Sequence, residues 1–422
     1  MSVLAIVNAR IIDIIREKTI SNGAIVIKDD IISDIGSMGE VEIPSSAEVI
    51  DGRGYTALPG LIDAHIHITG FRSGDYFREA LIIPYETLVA RAIRDLEAII
   101  DAGFTSICDA GSSIAIHLKP AANEGTIKSP RIFAAGYPLS QTFGHGDIHF
   151  LHPKLVDVRE TLLPNPFGAL LCDGVDECRK AARYALREGA DFIKIFTTGG
   201  VMSMRDRPEH PQMTIDEIKA VVEEASRVGK FVHAHAEGAE GFKNALIAGV
   251  KVLAHGIYMD DECINLAIEK GAVVIPTLTI SEFIIKYGRE IGLPEWGLKK
   301  EEEVHDISIE NARKAYKAGV KLATGTDLFV NPIKNPVYGL NAMELKLFVE
   351  KLGMKPFEAI KSATLIAAEA TGLGDKLGAL EKGRYADIIL VSGDPLDNID
   401  VLLDKRNIKL VVKNGEIVKR EF

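Results

Sequence analysis

The segment GLIDAHIHITG, residues 60–70, carries His65 and His67 two positions apart at the end of an apolar run. In an extended chain residues i and i+2 point to one face. Neutral imidazole nitrogens suit a divalent ion such as zinc, but two solvated histidines at the tip of a surface strand would show the same spacing. Farther along, single polar side chains interrupt other apolar runs: Lys194 in DFIKIF, His235 in VHAHAEG, His255 in LAHGIYM and Asp327 in ATGTDL. Each has a plain explanation. A strand-end histidine can simply be hydrogen-bonded, a lysine can pair with a carboxylate, and an aspartate after Gly-Thr can cap a helix. Brought together, the six would make a site for metal-assisted hydrolysis.

Eight apolar runs between residues 57 and about 330 are the elements that must position them. They read ALPGLIDAHIHI, FTSICDAG, RIFAAGYPLS, DFIKIFTTGG, FVHAHAEG, KVLAHGIYM, AVVIPTLTIS and KLATGTDL. Segments of helical period, such as TIDEIKAVVEEASRVG and DDECINLAIEKG, separate them. Apolar strands joined by helices pair in parallel, and eight such units predict an α/β chain folded as a (β/α)8 TIM-type barrel. In that architecture chemistry collects at the carboxyl ends of the strands, where all six residues fall. Both flanks read differently, as short strands with Gly, Asn and Asp turns: AIVNARIID and GAIVIKDDIISDIG at the start, ADIILVSGDPL and IKLVVKNGEIV at the end. The expected organisation is a small β-sandwich domain built from residues 1–56 and 373–422, with the barrel, 57–372, inserted between them.

Composition narrows the partners. With 47% hydrophobic and 26% charged residues the 422-residue chain is globular. A net charge of −11 argues against a nucleic-acid surface and against an anionic membrane. No apolar run reaches the length needed to span a bilayer, and MSVLAIVNARIIDIIREK reads as a strand rather than a leader. The four cysteines form no C-x-x-C pair and read as reduced thiols of a cytoplasmic protein. Two glutamines amid many Ile, Lys and Glu lean toward a heat-tolerant source.

The order H-x-H, Lys, His, His, Asp along the strand ends resembles the amidohydrolase superfamily, as do the phrases LPGLIDAHIH and KGRYADIILVSGDPL. LSQTFGHGD, KIFTTGGVMS and AHGIYMDDE are similar to its prolidase-like carboxypeptidase, imidazolonepropionase-related branch. The resemblance implies two divalent ions, usually zinc, bridged by Lys194 carboxylated with carbon dioxide. His65, His67 and Asp327 would hold the more buried ion, and His235 and His255 the more exposed one. An apolar setting would lower the lysine pKa enough for carbamate formation. Water shared by two such ions loses a proton near neutral pH, and Asp327 would accept it and later protonate the leaving amine. The implied reaction is attack of that metal-held hydroxide on the amide next to a carboxyl-terminal residue, in a dipeptide or an N-acyl amino acid. His145 matches the position of a carbonyl-stabilising histidine, with a hydrogen bond to Asp147 as its plain alternative. His233 shares a face with His235, and the resembling enzymes carry an apolar residue there, which points to a supporting role.

Glu237 departs from the resembling enzymes, which often carry a tyrosine that contacts the terminal carboxylate. A carboxylate there would instead favour an α-amino group or a basic side chain. Arg205 and Arg207, in GGVMSMRDRPEHPQ, would clamp a carboxylate or simply be solvated. The run LKKEEEVHDIS reads as a solvated helix face with His305 exposed. Competing readings are a cyclic-amide or ester hydrolase, a deaminase, which normally lacks the bridging lysine, and a non-catalytic assembly protein, which would have lost ligands. Relatives commonly form homo-oligomers, and the same is expected here.

Overall fold

The computed structural model describes residues 3–161 and 164–422. Both ends of the chain build one mixed eight-stranded sheet. From the first part come β1 (Val3–Asp13), β2 (Lys18–Lys28), β3 (Ile31–Ser37), β4 (Glu48–Asp51) and β5 (Tyr55–Pro59). The central part supplies short parallel strands: β6 (Leu61–Ile66), β7 (Phe104–Asp109), β8 (Arg131–Ala134), β9 (Leu139–Ser140), β10 (Leu170–Leu171), β11 (Ile193–Phe196), β12 (Val232–Ala236), β13 (Val252–His255), β14 (Val273–Ile275) and β15 (Lys321–Leu322). The last part, β16 (Ile388–Ser392), β17 (Ile408–Lys413) and β18 (Glu416–Arg420), returns to the terminal sheet.

That sheet runs β18-β17-β16-β5-β1-β2-β3, with β4 beside β1. Its alternation has a visible purpose. Ile6, Ile11, Ile25, Ile388, Leu390 and Leu410 face one shared core, while Ile389, Val391 and Val411, on the opposite face, join the main core of the molecule. A strand such as IILVS is apolar on both faces because it divides two cores. The first expected barrel run splits at Gly60: residues 57–59 pair with β16 in the terminal sheet, and only 61–66 enter the parallel layer.

The parallel strands form two hydrogen-bonded arcs, β6-β7-β8 and β10-β9-β11-β12-β13-β14-β15. Helices connect them, among them Tyr85–Asp101, Val175–Arg187, Ile215–Arg227, Ala239–Ala248 and Asp261–Lys270. Ile215–Arg227 begins with a full capping box between Thr214 and Glu217. Where the arcs meet, backbone bonds cross one seam from Ala64 to Thr324 (2.9 Å) and from Asp327 to His65 (2.7 Å), and the other from Asp191 to Ala134 (2.8 Å). The third expected run thus divides between the arcs, as β8 and β9. No helix of the described residues is long and apolar enough to cross a membrane.

Candidate metal centre

The carboxyl ends of β6, β11, β12 and β13, with the loop after β15, open into one cavity of about 1270 Å³, its open mouth included. His65, His67, Lys194, His235, His255 and Asp327 all line it, together with His145 and Glu237. Two triads have donor atoms within 4.8 Å of one another: His65, His67 and Asp327, and His235, Glu237 and His255. Asp327 Oδ1 lies 3.3 Å from His65 Nε2 and 3.2 Å from His67 Nε2, and Oδ2 lies 4.0 Å from His255 Nδ1.

The backbone bends to achieve this. His255, Thr277 and Asp327 have φ values of 75°, 55° and 53°, left-handed conformations that cost non-glycine residues energy. All three stand where the chain leaves β13, β14 and β15. Hydrogen bonds then fix the side chains. His67 Nδ1 donates to the Gly111 carbonyl at 3.0 Å, which leaves Nε2 as a lone pair beside Asp327. His235 Nε2 donates to the Gly199 carbonyl at 3.0 Å and so keeps Nδ1 unprotonated. His65 Nδ1 meets His233 Nε2 at 2.9 Å, and His255 Nδ1 meets Thr277 Oγ1 at 2.9 Å. Below them, Asp63 accepts from Thr326 and Asn341, and Asp109 from the Ile68 and Gly111 amides. Such outer partners orient metal-binding imidazoles.

The electrostatics suit cations. Burial holds His65, His233, His235 and His255 well below the ordinary imidazole pKa, so all four are neutral. Burial also pushes the Lys194 amine down to about 7. Lys194 is 1% exposed, its Nζ stands 3.4 Å from His65 Nε2, and among the described residues it has no ion-pair partner. Asp327 stays below the usual carboxylate range: burial raises it, but the surrounding imidazoles and the Lys194 amine together outweigh that. A buried amine without a counter-ion, set among neutral imidazoles and one carboxylate, fits a site completed by divalent ions.

Other expected residues fall into place or out of it. His145 lines the cavity, stacks on His235 (ring centroids 4.2 Å, 15°) and bonds Ser203 Oγ through Nδ1 at 2.8 Å, not Asp147. Burial lowers its pKa to about 4. His233 supports His65 and does not line the cavity. The structure does not bring in Arg205 or Arg207. Both are exposed, and Arg207 pairs with Glu303 at 2.9 Å. The loop turns Ser203 and Asp206 inward and the arginines outward. The run LKKEEEVHDIS departs from expectation too. Leu298, Glu301, Val304 and Ser308 form a buried stripe of the helix Glu295–Ala318, so Glu301 and Ser308 line the cavity, and His305 is only 17% exposed. Their i, i+3, i+4 spacing was the available signal. The aromatic residues Tyr76, Phe77, Phe167 and Phe329 also line the cavity and were not anticipated.

The model of the amidohydrolase family matches residues 56–418. The chain is 35% identical over 411 residues to an ochratoxinase of Aspergillus niger, covering 94% of this chain and 83% of that one. Among solved structures, it is similar to a prolidase complexed with N-methylphosphonate-L-proline (TM-score 0.90, 32% identity, all of both chains covered). It is also similar to a Xaa-Pro dipeptidase with methionine in its active site (TM-score 0.86, 35% identity, 99% of both).

Proposed function

The chain belongs to the amidohydrolase family and is a hydrolase of amide bonds, and from that premise we propose that it cleaves the amide next to a carboxyl-terminal amino acid, in dipeptides or N-acyl amino acids, at a two-metal centre. We read the two parallel arcs as one (β/α)8 barrel, with residues 57–372 as the barrel domain and 1–56 and 373–422 as a sandwich beside it. The observation that carries the metal centre is Lys194: a fully buried amine 3.4 Å from His65 Nε2, without an ion-pair partner among the described residues.

His65, His67 and Asp327 would hold one ion, and His235 and His255 the other, with Lys194 between them. At a pKa of about 7 a good part of the lysine is neutral near physiological pH. Its nitrogen can then attack carbon dioxide, losing a proton to solvent as the N–C bond forms, and the resulting carbamate would help hold the ions. Bound there, zinc or a similar ion supplies Lewis acidity to the scissile carbonyl and acidifies a water. The remaining work falls to the chain. Asp327 takes the proton from the water and delivers it to the leaving amine. His145 would donate from Nε2 to the developing oxyanion, which requires the Ser203 hydroxyl, directed at Asp206 in the structure, to turn toward Nδ1. His233 and Gly111 hold His65 and His67 in the orientation that faces Asp327. Neither arginine of the loop takes part. Relatives named for dipeptide substrates favour this reading over a cyclic-amide or ester hydrolase or a deaminase. A homo-oligomer and a cytoplasmic location complete the proposal.

The test is a screen of Xaa-Xaa dipeptides and N-acyl amino acids with metal-free, zinc-loaded and manganese-loaded protein. Turnover that follows metal loading is expected. Equal turnover in chelated protein would refute the metal centre, and turnover only of cyclic amides or esters would refute the substrate class.

A further inference from the structure

The cavity lining holds two chemically different groups. One is aromatic and continuous: Phe167 lies 5.8 Å from the His67 ring, Phe329 is 6.2 Å from Phe167, and Tyr76 is 5.1 Å from Phe329. The other is acidic. Glu237 follows His235 at the end of β12, and Glu301 reaches in from the helix Glu295–Ala318.

We propose that Glu237 and Glu301 form a subsite for a protonated amine of the substrate, while the aromatic wall takes an apolar group on the other side of the scissile amide. The inference rests on the amide-hydrolase reading above and names its substrate class. Glu237 is 5% exposed, and its Oε2 has no hydrogen-bond partner among the described residues. Its Oε1 stands 3.6 Å from His235 Nε2. Glu301 is equally buried, and one of its oxygens is taken by the Ser281 hydroxyl. An orphaned, buried carboxylate oxygen costs free energy unless a ligand supplies a donor. Two buried carboxylates in one cavity add repulsion that a cation relieves.

Among the described residues no arginine lines the cavity, and the only lysine there is Lys194. Lys300 is near, but its ammonium is held by the carbonyls of Gly200 (3.0 Å), Ser203 (2.5 Å) and Asp206 (2.5 Å). Among the carboxylates of the described residues it comes within 4.0 Å of Asp206 alone. An alkylammonium offers three donors in a small volume and matches two carboxylates. The amine can come from a basic side chain or from a free α-amino group. Glu237 also belongs to a metal-fitting triad with His235 and His255, whereas Glu301 does not. Glu301 is therefore the position that separates substrate recognition from ion binding.

The experiment compares kcat/KM of zinc-loaded enzyme for Phe-Lys and Phe-norleucine, each with free and acetylated amino terminus, in the native protein and in Glu301→Gln. Calorimetric binding of lysine and norleucine runs in parallel. The native enzyme is expected to prefer the lysine compound about 30-fold, the worth of a charged hydrogen bond. The preference should fall at least about tenfold in Glu301→Gln at unchanged metal content. Preference that survives acetylation assigns the amine to the side chain, and a preference for free over acetylated peptides assigns it to the α-amino group. Either supports the subsite. Turnover indifferent to both charges overturns it and leaves the amide-hydrolase reading standing. Absence of all turnover, with lysine binding over norleucine and losing that edge in Glu301→Gln, overturns the hydrolase reading and keeps the subsite. Absence of turnover with equal or no binding of the two amino acids overturns both.

Discussion

The terminal sheet and the cavity use the same backbone deviations for opposite ends. In the sheet, Glu17, Asp29 and Asn414 have positive φ, and all three are exposed turn residues between antiparallel strands. There an αL residue simply closes a hairpin. In the cavity, positive φ falls on His255, Thr277 and Asp327, whose polar side chains converge with other histidines in the interior. The sheet's inward residues are Ile, Leu, Val and Ala; the cavity and the layer beneath it bury His65, His233, His235, His255, Lys194, Glu237 and Glu301. The difference teaches where selection for stability ends. A region that breaks local rules in the core, and breaks them toward one point, is held there by function.

Substitutions sharpen that contrast. The largest effect is expected from Lys194→Ala, which should lower kcat/KM by at least about 10³-fold and reduce bound metal. Acetate or propionate should restore part of both, read by steady-state assay and elemental analysis. Asp327→Asn should lower kcat by about 10²–10⁴-fold through loss of the proton carrier, with the fold intact by circular dichroism. Leu390→Ala, in the terminal sheet, should do the reverse: destabilise by about 2–5 kcal/mol in urea titration while kcat of the folded enzyme stays put. If Leu390→Ala cut kcat as Lys194→Ala does, the division of labour would collapse.

Acid should find the same boundary. His65, His145, His233, His235 and His255 all have folded pKa values depressed below 6.5 by burial, His145 to about 4. The unfolded chain therefore binds protons between pH 6.5 and 4 that the fold refuses, so stability must fall as pH falls through that window. Metal-free protein should show this in urea midpoints, and mutating His145 to Gln should flatten the slope. The smallest effect belongs to Arg207→Ala: an exposed ion pair contributes little, and kcat/KM should change by less than about twofold.

Much of the centre was legible because a polar side chain at the end of an apolar strand is conspicuous. His65, His67, Lys194, His235, His255 and Asp327 each interrupt a run of buried residues, and parallel topology sends such ends to one side. The walls of the cavity were harder to read. Glu301 hides in a charged segment, where only its register with Leu298 and Val304 betrays a buried face. Phe167 and Phe329 come from loops that no periodicity connects. Arg205 and Arg207 misled because residue type says nothing about which way an irregular loop turns. The terminal sheet was legible as strands, yet the break at Gly60 depends on pairing between residues more than 300 positions apart.

The central claim is that Lys194 joins two ions held by histidines from both arcs. Anomalous diffraction at the zinc edge, on crystals grown with zinc and bicarbonate, tests it most directly. The account predicts two peaks, one among His65, His67 and Asp327 and one at His235 and His255, with density continuing from Lys194 Nζ toward both. An unmodified amine with no peak at either group would contradict it.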